Sequence, residues 1–438
     1  MKLSLEQENA LVAFRQNKNI LLTGPGGSGK TALIKEMVEI GLEQNKQVQV
    51  CALTGCAAVL LKCDGAKTVH SWAGVGLATG PSKNVIERTS TNKNKRGNWS
   101  KVDILIIDEI SMMSKKLFDI LDSIGRIVKK KLNVPFGGIQ VVFSGDFYQL
   151  PPVGDPDEEE TTQFCFESDR WNESIDEIIQ LTTIFRQTDA EYSKILSQIR
   201  VGKLYKSSYE KLLSRVNQPY PENGIKPTIL LPRRKDVDNI NTSELLKLES
   251  QNVEFIMKSI QDESVKSDKD KHKVKFTDEY REFETKYLME NVMADKKLSL
   301  KVGAQVMCVA NIDMEGPTPI VNGSQGVIIE LKNGLPLVQF INGHKRIIGW
   351  HTWNSEKIPG LGIMQVPLIL AWAITIHKAQ GVTLELAQID AGSNIFECGQ
   401  TYVALSRIKT LDGLYLTAFD PNKIKVNKKV QEYYKQVQ

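Results

Sequence analysis

The stretch Gly24-Pro25-Gly26-Gly27-Ser28-Gly29-Lys30-Thr31 constrains this chain more than any other. It fits the pattern G-x-x-x-x-G-K-[ST], and its flanks fit the required context. Ile20-Leu21-Leu22 upstream reads as a buried strand, while Leu33, Ile34, Met37, Val38 and Leu42 downstream recur at helical spacing. A strand feeding a glycine loop that opens a helix aims successive backbone N–H groups at an anion. Gly24, Gly26, Gly27, Ser28 and Gly29 would line a phosphate chain. Lys30 would reach the β- and γ-phosphates, and the Thr31 hydroxyl would ligate Mg²⁺. The expectation is an α/β fold that binds a nucleoside triphosphate.

A second stretch supplies what such a loop needs for hydrolysis. Val102-Asp103-Ile104-Leu105-Ile106-Ile107 is an apolar run that delivers the acidic pair Asp108-Glu109. Asp108 would hold Mg²⁺ and Glu109 would activate the attacking water. A helix with apolar Leu117, Phe118, Ile120, Leu121 and Ile124 then leads to another buried strand, Ile139 to Phe143. That strand ends in Ser144-Gly145-Asp146-Phe147-Tyr148-Gln149-Leu150-Pro151-Pro152-Val153, where the Gln149 amide could report whether a γ-phosphate is present.

Near the N-terminus, Ser4 and Gln7 have the spacing of a helix capping box. An amide just before a phosphate loop could equally offer a donor and an acceptor to an adenine edge. The residues alone leave both readings open. Thr54-Gly55, at the end of the apolar strand Val48 to Leu53, and His70-Ser71-Trp72, beside glycine, are candidates to touch phosphates and stack on bases. Pro81 to Ser100 is polar, with Lys83, Arg88, Lys93, Lys95, Arg96 and the single aromatic Trp99, and reads as a small insertion or hairpin facing nucleic acid.

Asp108-Glu109-Ile110-Ser111 followed by Gly145-Asp146-Phe147-Tyr148-Gln149-Leu150-Pro151-Pro152 resembles the PIF-type (petite integration frequency) DNA helicases, in the 5′→3′ branch of superfamily one that also holds RecD-like enzymes. The resemblance runs over about residues 3 to 420. It implies two RecA-like parallel-sheet motor domains, 1–185 and 186–438. A small insertion would occupy about 78–100 of the first, and a Src-homology-three-like β-barrel insertion about 298–362 of the second. It implies ATP and Mg²⁺ as ligands, and single-stranded, forked or partial-duplex DNA as partner.

The resemblance also implies residue roles. Gln7 becomes the adenine reader, and Thr54, Gly55, His70, Ser71 and Trp72 become the first DNA contacts. Arg186, in Ile184-Phe185-Arg186-Gln187, becomes the first of two arginines of the second domain that reach the γ-phosphate. Arg407, in Tyr402-Val403-Ala404-Leu405-Ser406-Arg407, becomes the second, an arginine finger. The helix Asp236 to Leu248, with Asn241, would lie on the DNA backbone. In Thr375-Ile376-His377-Lys378-Ala379-Gln380-Gly381, Thr375, His377 and Lys378 would face DNA, and Gln380 and Gly381 the nucleotide. Cys56, Trp72 and Ala379 depart from the aliphatic, phenylalanine and serine usual at those places.

The second half of the chain also has its own local signals. From Leu298 onward, short apolar runs separated by Asn322-Gly323, Asn333-Gly334 and Asn342-Gly343 read as antiparallel hairpins. Ile369 to Ile374 reads as one buried strand. Ser259 to Lys275, rich in lysine and aspartate, reads as a solvated loop, and the tail from Asn422 as basic and at best amphipathic, a segment that packs or frays.

Composition narrows the remaining classes. Six cysteines include no C-x-x-C pair, so a reduced intracellular protein without a zinc ribbon is expected. No apolar run approaches a membrane span, so no membrane partner is expected, and a monomer is. A net charge of +4 leaves any nucleic-acid surface to local basic groups. Two other readings stay open at this point. One is an RNA helicase or RNA–protein remodeller on the same motor, and the other a non-catalytic, ATP-gated single-strand binding protein.

Overall fold

The computed structural model describes residues 3–61, 63, 65–220, 225–262, 277–312, 320–355, 358, 360–392, 395 and 397–437. The side chain of Cys56 and most of the lysine-rich stretch expected as a loop, 263–275, lie outside the described residues. The chain divides into two compact units. Unit one is Met1–Leu204 with Glu397–Val403 and Ile424–Gln438, and unit two is Tyr205–Phe396 with Ala404–Lys423.

Unit one is built on six parallel strands, β1 (Ile20–Thr23), β2 (Val48–Ala52), β3 (Lys67–Thr68), β4 (Ile104–Asp108), β5 (Gln140–Gly145) and β6 (Glu177–Gln180), in the order β3-β2-β4-β5-β1-β6. The apolar runs are unbroken because both faces of the sheet are covered. Alternation along each strand sends residues to separate cores. Leu21, Cys51, Leu105, Ile107, Val141 and Phe143 enter one core, together with Phe118, Leu121 and Ile124 of α7 (Lys115–Val128). Ile20, Leu22, Val50, Ala52, Ile104, Ile106 and Val142 enter the other, against α1 (Leu5–Arg15) and α2 (Lys30–Glu43).

Two expectations about unit one change. The first domain does not stop at residue 185. It continues through α8 (Ala190–Arg200), whose Arg200 forms a buried ion pair with Asp146, and it regains the C-terminal helix Lys428–Gln436, whose Val430, Tyr433 and Tyr434 enter the core. The tail from Asn422 therefore packs, one of the two outcomes expected of it. Residues 82–101 form two helices, α5 (Ser82–Thr91) and α6 (Lys93–Lys101), and not an extended hairpin. Trp99 is wholly buried there, its indole N–H donating to the Ala73 carbonyl at 3.1 Å, while Lys83, Arg88, Lys93 and Arg96 remain exposed.

Unit two carries a parallel sheet of four strands in the order Ala373–Thr375, Thr228–Leu231, Ala387–Ala391 and Leu414–Phe419. Its remaining described strands are antiparallel. Five run in the order Lys345–Ile347, Leu335–Phe340, Gln325–Lys332, Gln305–Cys308 and Leu368–Leu370. Asn333 and Gly334, both in the left-handed region at φ 53° and 76°, turn the hairpin between the second and third of these, as the sequence suggested.

The antiparallel part begins earlier than residue 298. Val253–Ile256 pairs with Lys297–Leu300, and Lys258–Gln261 pairs with Leu361–Gln365, so the first three residues of the expected loop 259–275 belong to a strand. The run 369–374 is not one strand either. It breaks at Ala371-Trp372, with Leu368–Leu370 in the antiparallel sheet and Ala373–Thr375 in the parallel one. Among the described residues no helix is long and apolar enough to cross a membrane.

Candidate active site

Parallel register gathers the chemistry of unit one at one sheet edge. Thr23 of β1 lies beside Gly145 of β5 and Gln180 of β6, and Asp108 of β4 lies beside Ala52 of β2. The chain thus leaves the same edge at Gly24, Leu53, Glu109, Asp146 and Leu181, which is where open α/β sheets place ligands.

The loop after β1 is backbone-lined because side chains do not fit. A Cβ at Gly27, whose φ is 84°, would fall 2.4 Å from the Arg186 Cβ, and one at Gly29 would fall 2.8 Å from the Gln7 amide nitrogen. The helix α2 that follows has Gly29 as its N-cap, with no side chain capping it. Its first N–H groups therefore point outward as an anion site. The buried Ser28 hydroxyl has no hydrogen-bond partner among the described residues. Buried polar groups rarely stay unpaired, so this oxygen fits a site that a polar ligand completes.

Gln7 completes the capping box expected of it. Its carbonyl oxygen accepts from the Ser4 N–H at 3.0 Å, and its own N–H donates to the Ser4 hydroxyl at 3.3 Å, so the capping box is formed. Its amide nitrogen still faces the loop at Gly29.

Charges converge on Lys30. Its ammonium donates to the carbonyls of Gly24 and Pro25 at 2.7 and 3.0 Å. Burial pulls it below its ordinary value, opposed by the nearby Asp146, Glu109 and Asp108 carboxylates. Burial raises Asp108, opposed by the Ser144 hydroxyl, which donates to it at 2.7 Å, and by Lys30. Glu109 sits in the left-handed region at φ 57°, ψ 42°, at the head of a short 3₁₀ turn. For a side chain of this size that conformation costs about 1–3 kcal/mol and collects at functional sites. The oxygens of Thr31 and Asp108 are hard donors of the kind Mg²⁺ takes, so the residues present fit that ion.

Arg186 belongs to unit one, contrary to its expected place in the second domain. The Phe185 N–H donates to the Gly27 carbonyl at 2.8 Å, which pins this segment onto the loop. Burial lowers the Arg186 guanidinium, opposed by Tyr402 and Glu109. Gln149 is buried, its N–H donating to the Asp146 carbonyl at 2.9 Å.

Two partners escaped sequence reading. Arg200 grips Asp146 with two bonds of 2.9 and 2.8 Å, and Asp146 has no exposed side-chain surface. The Tyr402 hydroxyl accepts the Gly26 N–H at 3.0 Å. Separations of 54 and 376 residues leave no local signal for either contact.

The expected DNA contacts divide. Thr54 caps the helix Gly55–Leu61 through the Ala57 N–H at 3.2 Å, while His70 and Ser71 lie half-buried on the short helix Val69–Ala73. Trp72 is a correction. It is only 3% exposed and packs on Trp99 with ring centroids 4.7 Å apart, so its face is not open to a base. Trp72→Ala should therefore destabilise unit one by about 3–5 kcal/mol, read by chemical denaturation. A loss of nucleic-acid affinity at unchanged stability would restore the stacking role.

In unit two the Asn241 amide donates to the Ala373 carbonyl and accepts its N–H, both at 2.9 Å, so it braces a strand. Thr375 caps the short helix Ile376–Ala379 through the Lys378 N–H at 3.1 Å. His377 is exposed there, and Lys378 lies 4.0 Å from Asp295. Gln380 is buried beside Gly381, and Arg407, 2% exposed, donates to the Ser406 hydroxyl at 2.7 Å.

Comparison with known proteins agrees with this geometry. Residues 2–210 match the PIF1-like helicase family, and residues 284–331 match the DNA helicase Pif1, 2B domain. The ATP-dependent DNA helicase PIF1 of Danio rerio is 36% identical over all of this chain, which spans 64% of that protein's length. The crystal structure of Pif1 helicase from Candida albicans is 32% identical over the whole of both chains, with a TM-score of 0.74. Pif1 helicase from Bacteroides, solved with ADP-AlF3 and single-stranded DNA, is 28% identical over all of this chain and 97% of that one, with a TM-score of 0.64. With the phosphate loop, the acidic pair and the Asp146–Gln149 strand end all at one sheet edge, the chain belongs to the PIF1-like helicase family.

Proposed function

We propose that this chain is an ATP-dependent DNA helicase that moves 5′→3′ along single-stranded DNA and unwinds duplex ahead of it. The observation that carries the hydrolytic part is the convergence of Lys30, Asp108 and Glu109 at one sheet edge, with Glu109 held in a strained backbone conformation. Glu109 takes a proton from water as its oxygen attacks the γ-phosphorus. The bond to the β-phosphate oxygen breaks, and ADP and phosphate leave. Lys30 and the N–H groups that open α2 meet the growing charge. Thr31 and Asp108 would hold Mg²⁺, which when bound neutralises phosphate charge. Gln7 reads the base, Gln149 reports the γ-phosphate, and Arg186 and Arg407 add positive charge to the transferred group.

The DNA half of the reading rests on relatives that bear the name DNA helicase, and on the Bacteroides protein solved with single-stranded DNA. Thr54, Gly55, His70 and Ser71 of unit one, and Thr375, His377 and Lys378 of unit two, are the contacts we assign to the strand. The antiparallel part of unit two is assigned as the Src-homology-three-like insertion, and the working form as a monomer.

The test is ATP hydrolysis with saturating single-stranded DNA or RNA of one sequence. Stronger stimulation by DNA is expected. Stronger stimulation by RNA would replace this reading with an RNA motor, and hydrolysis with neither would leave an ATP-gated binding protein.

A further inference from the structure

The C-terminal helix Lys428–Gln436 carries two adjacent tyrosines, Tyr433 and Tyr434, that enter the core of unit one against different partners. Tyr433 turns into the aromatic cluster of Phe147, Phe166 and Trp171, meeting the Phe147 ring edge-on at 5.6 Å. Its hydroxyl accepts the Trp171 indole N–H at 3.0 Å, and its ring stacks on Phe166 at 4.5 Å. Tyr434, 3% exposed, turns to the sheet edge that carries the nucleotide residues. Its hydroxyl lies 2.6 Å from the Thr23 hydroxyl and accepts the Phe147 N–H at 3.3 Å. Either hydroxyl can donate in the Tyr434–Thr23 pair, and the phenol keeps room to accept the Phe147 N–H as well.

Those two partners matter because of their neighbours. Thr23 is the last residue of β1, directly before Gly24 of the phosphate loop. Phe147 stands between Asp146 and Gln149 on the strand end beside it. The Tyr434 ring also stacks on Tyr148 with centroids 4.9 Å apart and planes 9° apart. The Arg200 guanidinium lies 4.6 Å from the Tyr148 centroid and 5.6 Å from that of Tyr434, while it holds Asp146. One phenol thus ties the root of the phosphate loop to the segment that bears Asp146 and Gln149.

We propose that Tyr434 is a positioning residue for ATP hydrolysis: its hydroxyl fixes the phosphate loop relative to the Asp146–Gln149 segment, so the helix Lys428–Gln436 is part of the hydrolytic machinery of unit one. Tyr434 touches no reacting atom and acts through Thr23 and Phe147. The proposal rests on the hydrolytic reading above.

Tyr434→Phe and Tyr433→Phe make the test, because each deletes one buried hydroxyl from the same helix. Both should lower the unfolding temperature to a similar extent. Tyr434→Phe alone should lower the kcat for DNA-stimulated ATP hydrolysis, by about threefold to tenfold, the range set by one neutral hydrogen bond. Thr23→Val removes the same bond from the other side. It should lower kcat similarly, and the double variant should fall no further than the lower single, as expected for two groups that act through one contact.

Equal kcat in Tyr433→Phe and Tyr434→Phe, or additive losses with Thr23→Val, would overturn the proposal. If Tyr434→Phe does not fold, Thr23→Val against Tyr433→Phe carries the same comparison. A wild-type chain that hydrolyses no ATP would end the hydrolytic reading, whereas an active wild type with equal variants would end only this one.

Discussion

Glu109→Gln should lower ATP hydrolysis by about 10²–10⁴-fold while ATP binding stays within a few-fold of wild type. The substitution keeps the size and the polar oxygen of the side chain but removes its ability to accept a proton. The backbone argues that this carboxylate is held for a purpose. Glu109 occupies the left-handed region between β4 and a 3₁₀ turn, and Gly145 on the neighbouring strand leaves no room for a Cβ, which would fall 2.9 Å from the Ile110 N–H. The local chain is thus fixed around Glu109, and the amide variant should fold to the same geometry. Single-turnover hydrolysis and titration with a fluorescent ATP analogue separate the two effects. Hydrolysis within tenfold of wild type would remove Glu109 from its role as base.

Lys30→Ala should be as damaging by a different route, losing about 10²–10³-fold or more in hydrolysis together with much of the ATP affinity. Asp146, Glu109 and Asp108 all act on the Lys30 ammonium. Deleting it leaves their negative charge facing the phosphates with one fewer cation to offset it. Lys30 should therefore appear in both KM and kcat, whereas Glu109→Gln appears in kcat alone, because a cation contacts ground state and transition state while a base acts only in the second. A Lys30→Ala variant with wild-type KM would contradict this division.

Much of this site could be read from the sequence because its parts are local. A glycine loop between a strand and a helix, or an acidic pair that ends an apolar strand, carries its context within a dozen residues, and the parallel sheet then brings the strand ends together. What could not be read is long-range pairing. Arg200 looks like the last residue of an ordinary amphipathic helix until its partner Asp146 is known, and Tyr434 lies 411 residues from Thr23. Both belong to segments assigned by sequence outside the first domain, and the same limit put Arg186 in the wrong unit. Trp72 failed for a related reason. An aromatic beside glycine and histidine suits a base, but an indole is also large enough to fill a core, and Trp99 supplied the partner. The apolar run 369–374 misled because burial is equally deep in the two sheets it joins, so periodicity gave no break at Trp372.

The claim that unites these observations is that ATP hydrolysis at the Lys30–Glu109 edge drives movement along one DNA strand. Strand separation on two partial duplexes, one with a 5′ single-stranded tail and one with a 3′ tail, tests it most directly, with ATP and Mg²⁺ present and Lys30→Ala as control. The account predicts unwinding of the 5′-tailed substrate alone, abolished in the variant. Unwinding of only the 3′-tailed substrate would reverse the direction, and ATP hydrolysis without unwinding of either would contradict the helicase claim itself.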